Sequence, residues 1–206
     1  MKNEIEATFL SIDKELMRTK LKKGGFILEI PEYMMRRKTF DFSDNLSGHR
    51  KWGRVRQESD KITMTVKEIR GSGIKDTYES EIIVNNFDEA CAFFVACGVK
   101  PVAFQENLRE VWGEDGIEVT LDTWPGLNTF VEIEGPSEER VCKIADSLGF
   151  NFEKAVFGSI DLIYEKELGI PAKTIICLPQ ISFDNPPKKR RRMGVETTPN
   201  SNAVEI

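Results

Sequence analysis

Histidine is nearly absent from this chain of 206 residues, with His49 the only one. That removes every metal site built from several imidazoles and leaves one candidate for Ser-His or Cys-His catalysis. Cysteine is scarce too: Cys91, Cys97, Cys142 and Cys177 form no C-x-x-C pair, which excludes a disulfide scaffold. Cys91 and Cys97 fall in an apolar helical segment, where free thiols act as small buried hydrophobes. No run of about 18 apolar residues exists, so no membrane partner is expected. The opening MKNEIEATFL has no apolar stretch before a small-residue cleavage site, and a cytoplasmic location is expected. Positive charge is not in excess: 29 Lys plus Arg stand against 34 Asp plus Glu, a net charge of -5. Duplex phosphates are bound by a surplus of cations, so no specific nucleic-acid partner is expected. Any metal must be held mainly by carboxylates, which selects a hard cation such as Mg, Mn or Ca.

What is present is a body of one domain, residues 1–183, and a tail of different composition, residues 184–206. The tail, DNPPKKRRRMGVETTPNSNAVEI, has no apolar periodicity and is expected to be disordered, polar and locally basic. Its cluster Lys188, Lys189, Arg190, Arg191 and Arg192 is most simply a solvated charge run. Without the tail the body holds 24 basic and 31 acidic residues, a net charge of -7.

Within the body, strands outnumber helices. Apolar and polar residues alternate over 4–12, 38–42, 53–58, 61–69, 77–84, 102–112, 116–124 and 128–135. Helical segments are expected over 13–23, 87–98 and 136–149, with a shorter one near 160–168; Asn86 suits an N-cap and Pro136 a first helical turn. Eight or so strands with few helices predict an α+β fold, mainly antiparallel β, closed into a barrel with the helices outside.

The side chains that alternate with the apolar ones carry the chemistry. Glu4, Glu6 and Thr8 share one face of the first strand, and Arg54 with Arg56 share one face of the third. Thr63, Thr65 and Lys67 do the same, as do Gln105, Asn107 and Arg109, then Glu118, Thr120 and Asp122, then Glu132 and Glu134. A half-exposed sheet also gives such alternation. Paired carboxylates at i, i+2 nevertheless repel and sit poorly in strands, so two E-x-E pairs are a costly surface decoration. Facing inward across a wet lumen, the acids would hold a cation and the arginines an anion with several oxygens. Trp52, Trp112 and Trp124 are read as barrel packing, and no adenine pocket is evident.

Here the chain resembles a known family. Glu4-Ile5-Glu6 is similar to the E-x-E-x-K opening of the CYTH family, the triphosphate tunnel metalloenzymes, which include class IV adenylate cyclases, thiamine triphosphatases and inorganic triphosphatases. WGRVRQESDKITMTVKE resembles the family's R-x-R strand and the strand after it that ends in a phosphate-binding lysine. The most specific stretch of the resemblance is DTWPG followed by FVEIEGPSEE, and the likeness covers about residues 1–168. It implies Mg or Mn held by Glu4, Glu6, Glu132 and Glu134, with Asp122 and Glu81 as lumen acids that bind or orient the metal and its water. It implies triphosphate binding by Arg54, Arg56, Lys67 and Arg109, with Arg36 or Arg37 as additions. Thr8 and Asn107 stand where the family has lysines, which weakens the field on a polyphosphate. The activity implied is hydrolysis of the triphosphate of a small molecule. The alternatives are cyclisation of ATP to cyclic AMP and pyrophosphate, or a binding module without turnover. The oligomeric state is not legible.

Overall fold

The structure, a computed structural model, describes residues 1–42 and 50–188. His49 and the basic residues Lys189, Arg190, Arg191 and Arg192 lie outside the described residues. The strands are β1 (Lys2–Glu4), β2 (Glu6–Phe9), β3 (Ile27–Asp41), β4 (Arg50–Gln57), β5 (Ile62–Ile69), β6 (Thr77–Val84), β7 (Lys100–Glu114), β8 (Ile117–Thr123), β9 (Phe130–Glu134) and β10 (Gln180–Ile181). Nine of them form one antiparallel path, β1-β6-β5-β4-β3-β7-β8-β9-β2, and β10 joins β7 in parallel. The path almost closes on itself because its two ends are consecutive in the chain. Glu4 pairs with Thr77 on β6, while Glu6 pairs with Glu134 on β9. Ile5, between them, accepts a backbone hydrogen bond from Gly135 (3.1 Å). The result is a nearly closed barrel with one seam.

The barrel with outside helices is the architecture the alternation predicts, with three differences of detail. The expected first strand over 4–12 divides at Ile5, where the backbone leaves one neighbour for the other. The expected strand over 38–42 reaches back to Ile27, and register shifts after Leu28 and Ile30 explain why its period-two signal is broken. β10 was not legible, since two residues carry no period.

Five helices pack outside among the described residues. α1 (Lys14–Lys23) begins where the Asp13 carboxylate accepts the Leu16 N–H at 2.9 Å, and α2 (Phe87–Ala96) where Asn86 accepts from Glu89 N–H at 3.1 Å. α3 (Glu138–Ser147) is capped by Ser137, which places Pro136 just before the helix and not in its first turn. α4 (Ile160–Leu168) ends at Gly169, whose positive φ of 63° is a left-handed stop that Gly adopts without strain. α5 (Ala172–Ile176) follows. Leu21 and Met17 of α1 and Val141 and Ala145 of α3 are buried against Val119, Leu121, Val131 and Ile133, the outward residues of β8 and β9. α2 covers Phe40 and Val55 with Phe94, and α4 sets Tyr164 over Phe130, its hydroxyl donating to the Pro125 carbonyl at 2.7 Å. The apolar core thus lies outside the barrel wall, between strands and helices, and most inward positions are left to polar side chains.

Candidate functional site

The barrel encloses a cavity of about 430 Å³. Its lining is charged: Arg37, Arg54 and Arg56 come from β3 and β4, and Glu4, Glu6, Glu132 and Glu134 from β1, β2 and β9. The strand order places those two groups across the lumen from each other. Of the residues the resemblance implicates, Glu4, Glu6, Glu81, Glu132, Glu134, Arg54, Arg56, Lys67 and Arg109 all line this cavity. Asp122 does not.

On the acidic side, carboxylate oxygens of Glu4, Glu6 and Glu134 lie within 4.8 Å of one another. Burial, followed by the Glu4 charge, pushes the Glu6 carboxyl well above the usual carboxylate range. Burial, then Glu4 and Glu118, raise Glu134 to about 7. Burial would raise Glu4 as well, but Lys67 outweighs it and holds that carboxyl low, its ammonium donating to both oxygens at 2.6 Å. Three converging carboxylates, with one ammonium bonded to Glu4, are short of positive charge. An all-oxygen donor set of this kind fits a hard divalent cation, so Glu4, Glu6 and Glu134 are the residues that can hold one. Glu132 is turned elsewhere: its Oε2 accepts from Arg109 at 2.6 Å.

On the basic side, the Nε–H groups of Arg37, Arg54 and Arg56 are buried without a hydrogen-bond partner. Buried donors are ordinarily satisfied, and leaving one unpaired costs on the order of 1–3 kcal/mol. Burial and then the Arg56 charge lower the Arg54 guanidinium to about 10, and Arg37 is driven well down by burial, Arg54 and Arg56. Cations crowded this closely call for an anion. Only Arg37 of the pair at 36 and 37 faces inward; Arg36 is exposed and its Nε donates to Gln57 at 3.0 Å. The Arg37 guanidinium lies 4.6 Å from the Trp124 ring centroid and donates to Asn107 Oδ1. One of the two positions that lack a family lysine is therefore in contact with an arginine from the next strand. Thr8 is buried beside Glu132 in the β2–β9 ladder, its backbone bonded to Val156.

Asp122 is fully buried behind Arg109. Its Oδ1 accepts from Arg109 Nε at 2.9 Å and Asn107 Nδ2 at 2.6 Å, its Oδ2 from Arg109 NH2 at 2.6 Å and Thr120 at 2.9 Å. Burial would weaken the Arg109 charge, but Asp122 and Glu132 outweigh it and hold the guanidinium firmly protonated. Asp122 thus orients Arg109. Glu81 accepts from Thr65 at 2.7 Å and stands 3.6 Å from both Arg54 and Arg56. Of the three tryptophans expected to pack, Trp112 and Trp124 are in the core, Trp124 also reaching the cavity, whereas Trp52 lines the cavity outside the core clusters. Sequence reasoning also passed over Tyr33 and Glu79, both lining residues. Glu79 had a signal in the E-x-E of β6; Tyr33 was hidden by the bulged start of β3.

No curated protein matches the chain. Among solved structures it is similar to the PH1012 protein of Pyrococcus horikoshii, with 21% identity, a TM-score of 0.63, and coverage of 74% of this chain and 93% of that one. A candidate adenylate cyclase of Vibrio parahaemolyticus gives 14% identity and a TM-score of 0.65, covering 80% of this chain and 98% of its own. A candidate adenylyl cyclase of Hippeastrum, HpAC1, described as having a dominant triphosphatase activity, gives 14% identity and 0.52, covering 82% and 99%. At these identities the likeness is one of fold. The family model for the CYTH domain matches residues 40–152, a stretch that runs from the end of β3 through α3 and includes the arginine pair of β4, Lys67 of β5 and the acids of β8 and β9. On that match, which spans more than half the sequence, the chain belongs to the CYTH domain family.

Proposed function

We propose that this protein is a divalent-metal-dependent phosphohydrolase acting on the triphosphate group of a small molecule. The observation that carries the reading is the pairing, within one enclosed lumen, of three buried and unpartnered guanidinium Nε–H groups with a cluster of three carboxylates. A polyphosphate needs both, because its oxygens exceed what arginines alone neutralise. Arg37, Arg54 and Arg56 bind and align the phosphates, with Arg109 held by Asp122 and Glu132 at a fixed angle beside them. A Mg or Mn ion bound by Glu4, Glu6 and Glu134 supplies further neutralisation of phosphate oxygens and a more acidic water. The raised Glu6 and Glu134 carboxyls must give up their protons before they can hold that ion. The triphosphatase activity described for the Hippeastrum protein is in line with this reading.

Cyclisation of ATP is the second reading. Trp52 favours it, because it gives the lumen an aromatic surface on which a base can stack. One assay separates the two. Tripolyphosphate and ATP are supplied with Mg or Mn, and orthophosphate, pyrophosphate and cyclic AMP are quantified. Hydrolysis of tripolyphosphate to orthophosphate, abolished by chelator, is the expected result. Equal yields of pyrophosphate and cyclic AMP from ATP, with tripolyphosphate inert, would establish the cyclase instead. Binding of both without turnover would leave a binding module.

A further inference from the structure

β3 sends Tyr33 and Arg37 to the same side of the sheet, both into the lumen. They are four positions apart, a distance along the strand of about 13 Å at about 3.3 Å per residue. Arg54 and Arg56 stand on the Arg37 side of that interval, since Arg37 pairs with Arg56 and Thr39 with Arg54. Tyr33 pairs instead with Arg109 on β7. At that level the arginine is already committed, through Nε and NH2, to Asp122 and Glu132. The Tyr33 hydroxyl is not: it is buried and has no hydrogen-bond partner. Burial raises this phenol to about 12, so it remains a neutral donor. A neutral donor can serve a phosphate oxygen at this level of the lumen without adding charge.

We propose that Tyr33 reads the length of the bound phosphate chain, its hydroxyl donating to the terminal phosphate farthest from Arg37. The proposal rests on the triphosphate reading and deepens it. A diphosphate held by Arg37, Arg54 and Arg56 stops short of Tyr33; the third phosphate brings an oxygen within its reach. Nothing covalent is asked of the phenol.

The test uses the full chain, the Tyr33→Phe variant and the Arg54→Ala variant, titrated calorimetrically with tripolyphosphate and with pyrophosphate. Phe keeps the ring and its packing, so the melting temperature should be unaltered. Tyr33→Phe should raise the Kd for tripolyphosphate about tenfold, the loss expected for one hydrogen bond to a charged group. Its Kd for pyrophosphate should stay within about twofold of the parent's, and Arg54→Ala should weaken both ligands. An unchanged Kd for tripolyphosphate, or an equal loss on both ligands, overturns the role of Tyr33 and leaves the triphosphate reading standing when Arg54→Ala still weakens binding. If Arg54→Ala weakens neither ligand, the triphosphate reading falls and the proposal falls with it.

Discussion

Replacing Glu134 by Gln probes the acidic cluster through stability. In the fold, burial and the neighbouring Glu4 and Glu118 raise the Glu134 carboxyl to about 7 from its ordinary 4.5. An acid raised in this way keeps its proton in the folded protein after the unfolded chain has lost it. The folded state therefore binds more protons across that window, and stability falls as pH rises from about 4.5 to about 7. One pH unit of separation corresponds to about 1.4 kcal/mol, which sets the full penalty above the window at about 3 kcal/mol. Gln has nearly the same size and cannot ionise. In chelator at pH 8 the variant should exceed the parent by about 1–3 kcal/mol, the lower figure allowing for solvent screening of a half-buried group. For a chain of this length that is a rise in melting temperature of about 2–4 °C per kcal/mol. At acid pH, where both side chains are neutral, the two proteins should melt together. Added Mg or Mn should then reverse the order at pH 8, because only the parent keeps all three carboxylates. Thermal melts in chelator and in metal, from acid to alkaline pH, give all of these readings. A variant less stable than the parent in chelator at pH 8, or a gain that does not change with pH, would refute the crowded-carboxylate argument.

Mg affinity of the parent should rise with pH through about 7, since the Glu134 proton must leave, and a flat calorimetric profile would contradict that. Arg54→Ala and Arg56→Ala should each cost on the order of 2–5 kcal/mol of tripolyphosphate binding while barely moving the melting temperature; folded variants that bind normally would remove the arginine wall from the mechanism. Asp122→Asn leaves Arg109 underpaired in a buried position and should cost about 3–5 kcal/mol in urea unfolding, whereas a neutral result would show that Arg109 does not depend on it. Leu21→Ala, fully buried beneath α1, should cost about 2–5 kcal/mol with binding intact once folded, and a loss under 1 kcal/mol would mean the helix packs loosely.

The barrel was legible because its interior is polar. Glu4 with Glu6, Arg54 with Arg56 and Glu132 with Glu134 each show two inward charges around one apolar residue, and that phase holds in the structure. The same periodicity could not say which charges meet. The family resemblance grouped Glu132 with Glu4, Glu6 and Glu134, whereas Arg109 draws Glu132 away, a pairing that depends on β7 and β9 being two strands apart in the ring. The resemblance, with strand parity, set Asp122 among the lumen acids; the depth that hides it beneath Arg109 and Asn107 is a property of packing. Arg37 against Arg36 was undecidable while the phase of β3 was broken, and pairing with β4 and β7 resolves it.

The break at Ile5 also orders events in time. Residues 2–9 are made well before their partners, which lie at Thr77–Glu79 and at Val131–Glu134. The stretch from β3 to β8 can zip up by neighbouring pairings, with β7 returning to β3, before either half of the opening segment has anywhere to dock. Pairings this distant in sequence are slow to form, so closure at the seam is expected to be a late step of folding. The arginine wall belongs to the early sheet, whereas Glu4 and Glu6 reach Glu134 only when the ring shuts. A barrel trapped open would keep its anion-facing side and lack its acidic corner, so the convergence of these three carboxylates marks the moment at which the molecule is complete.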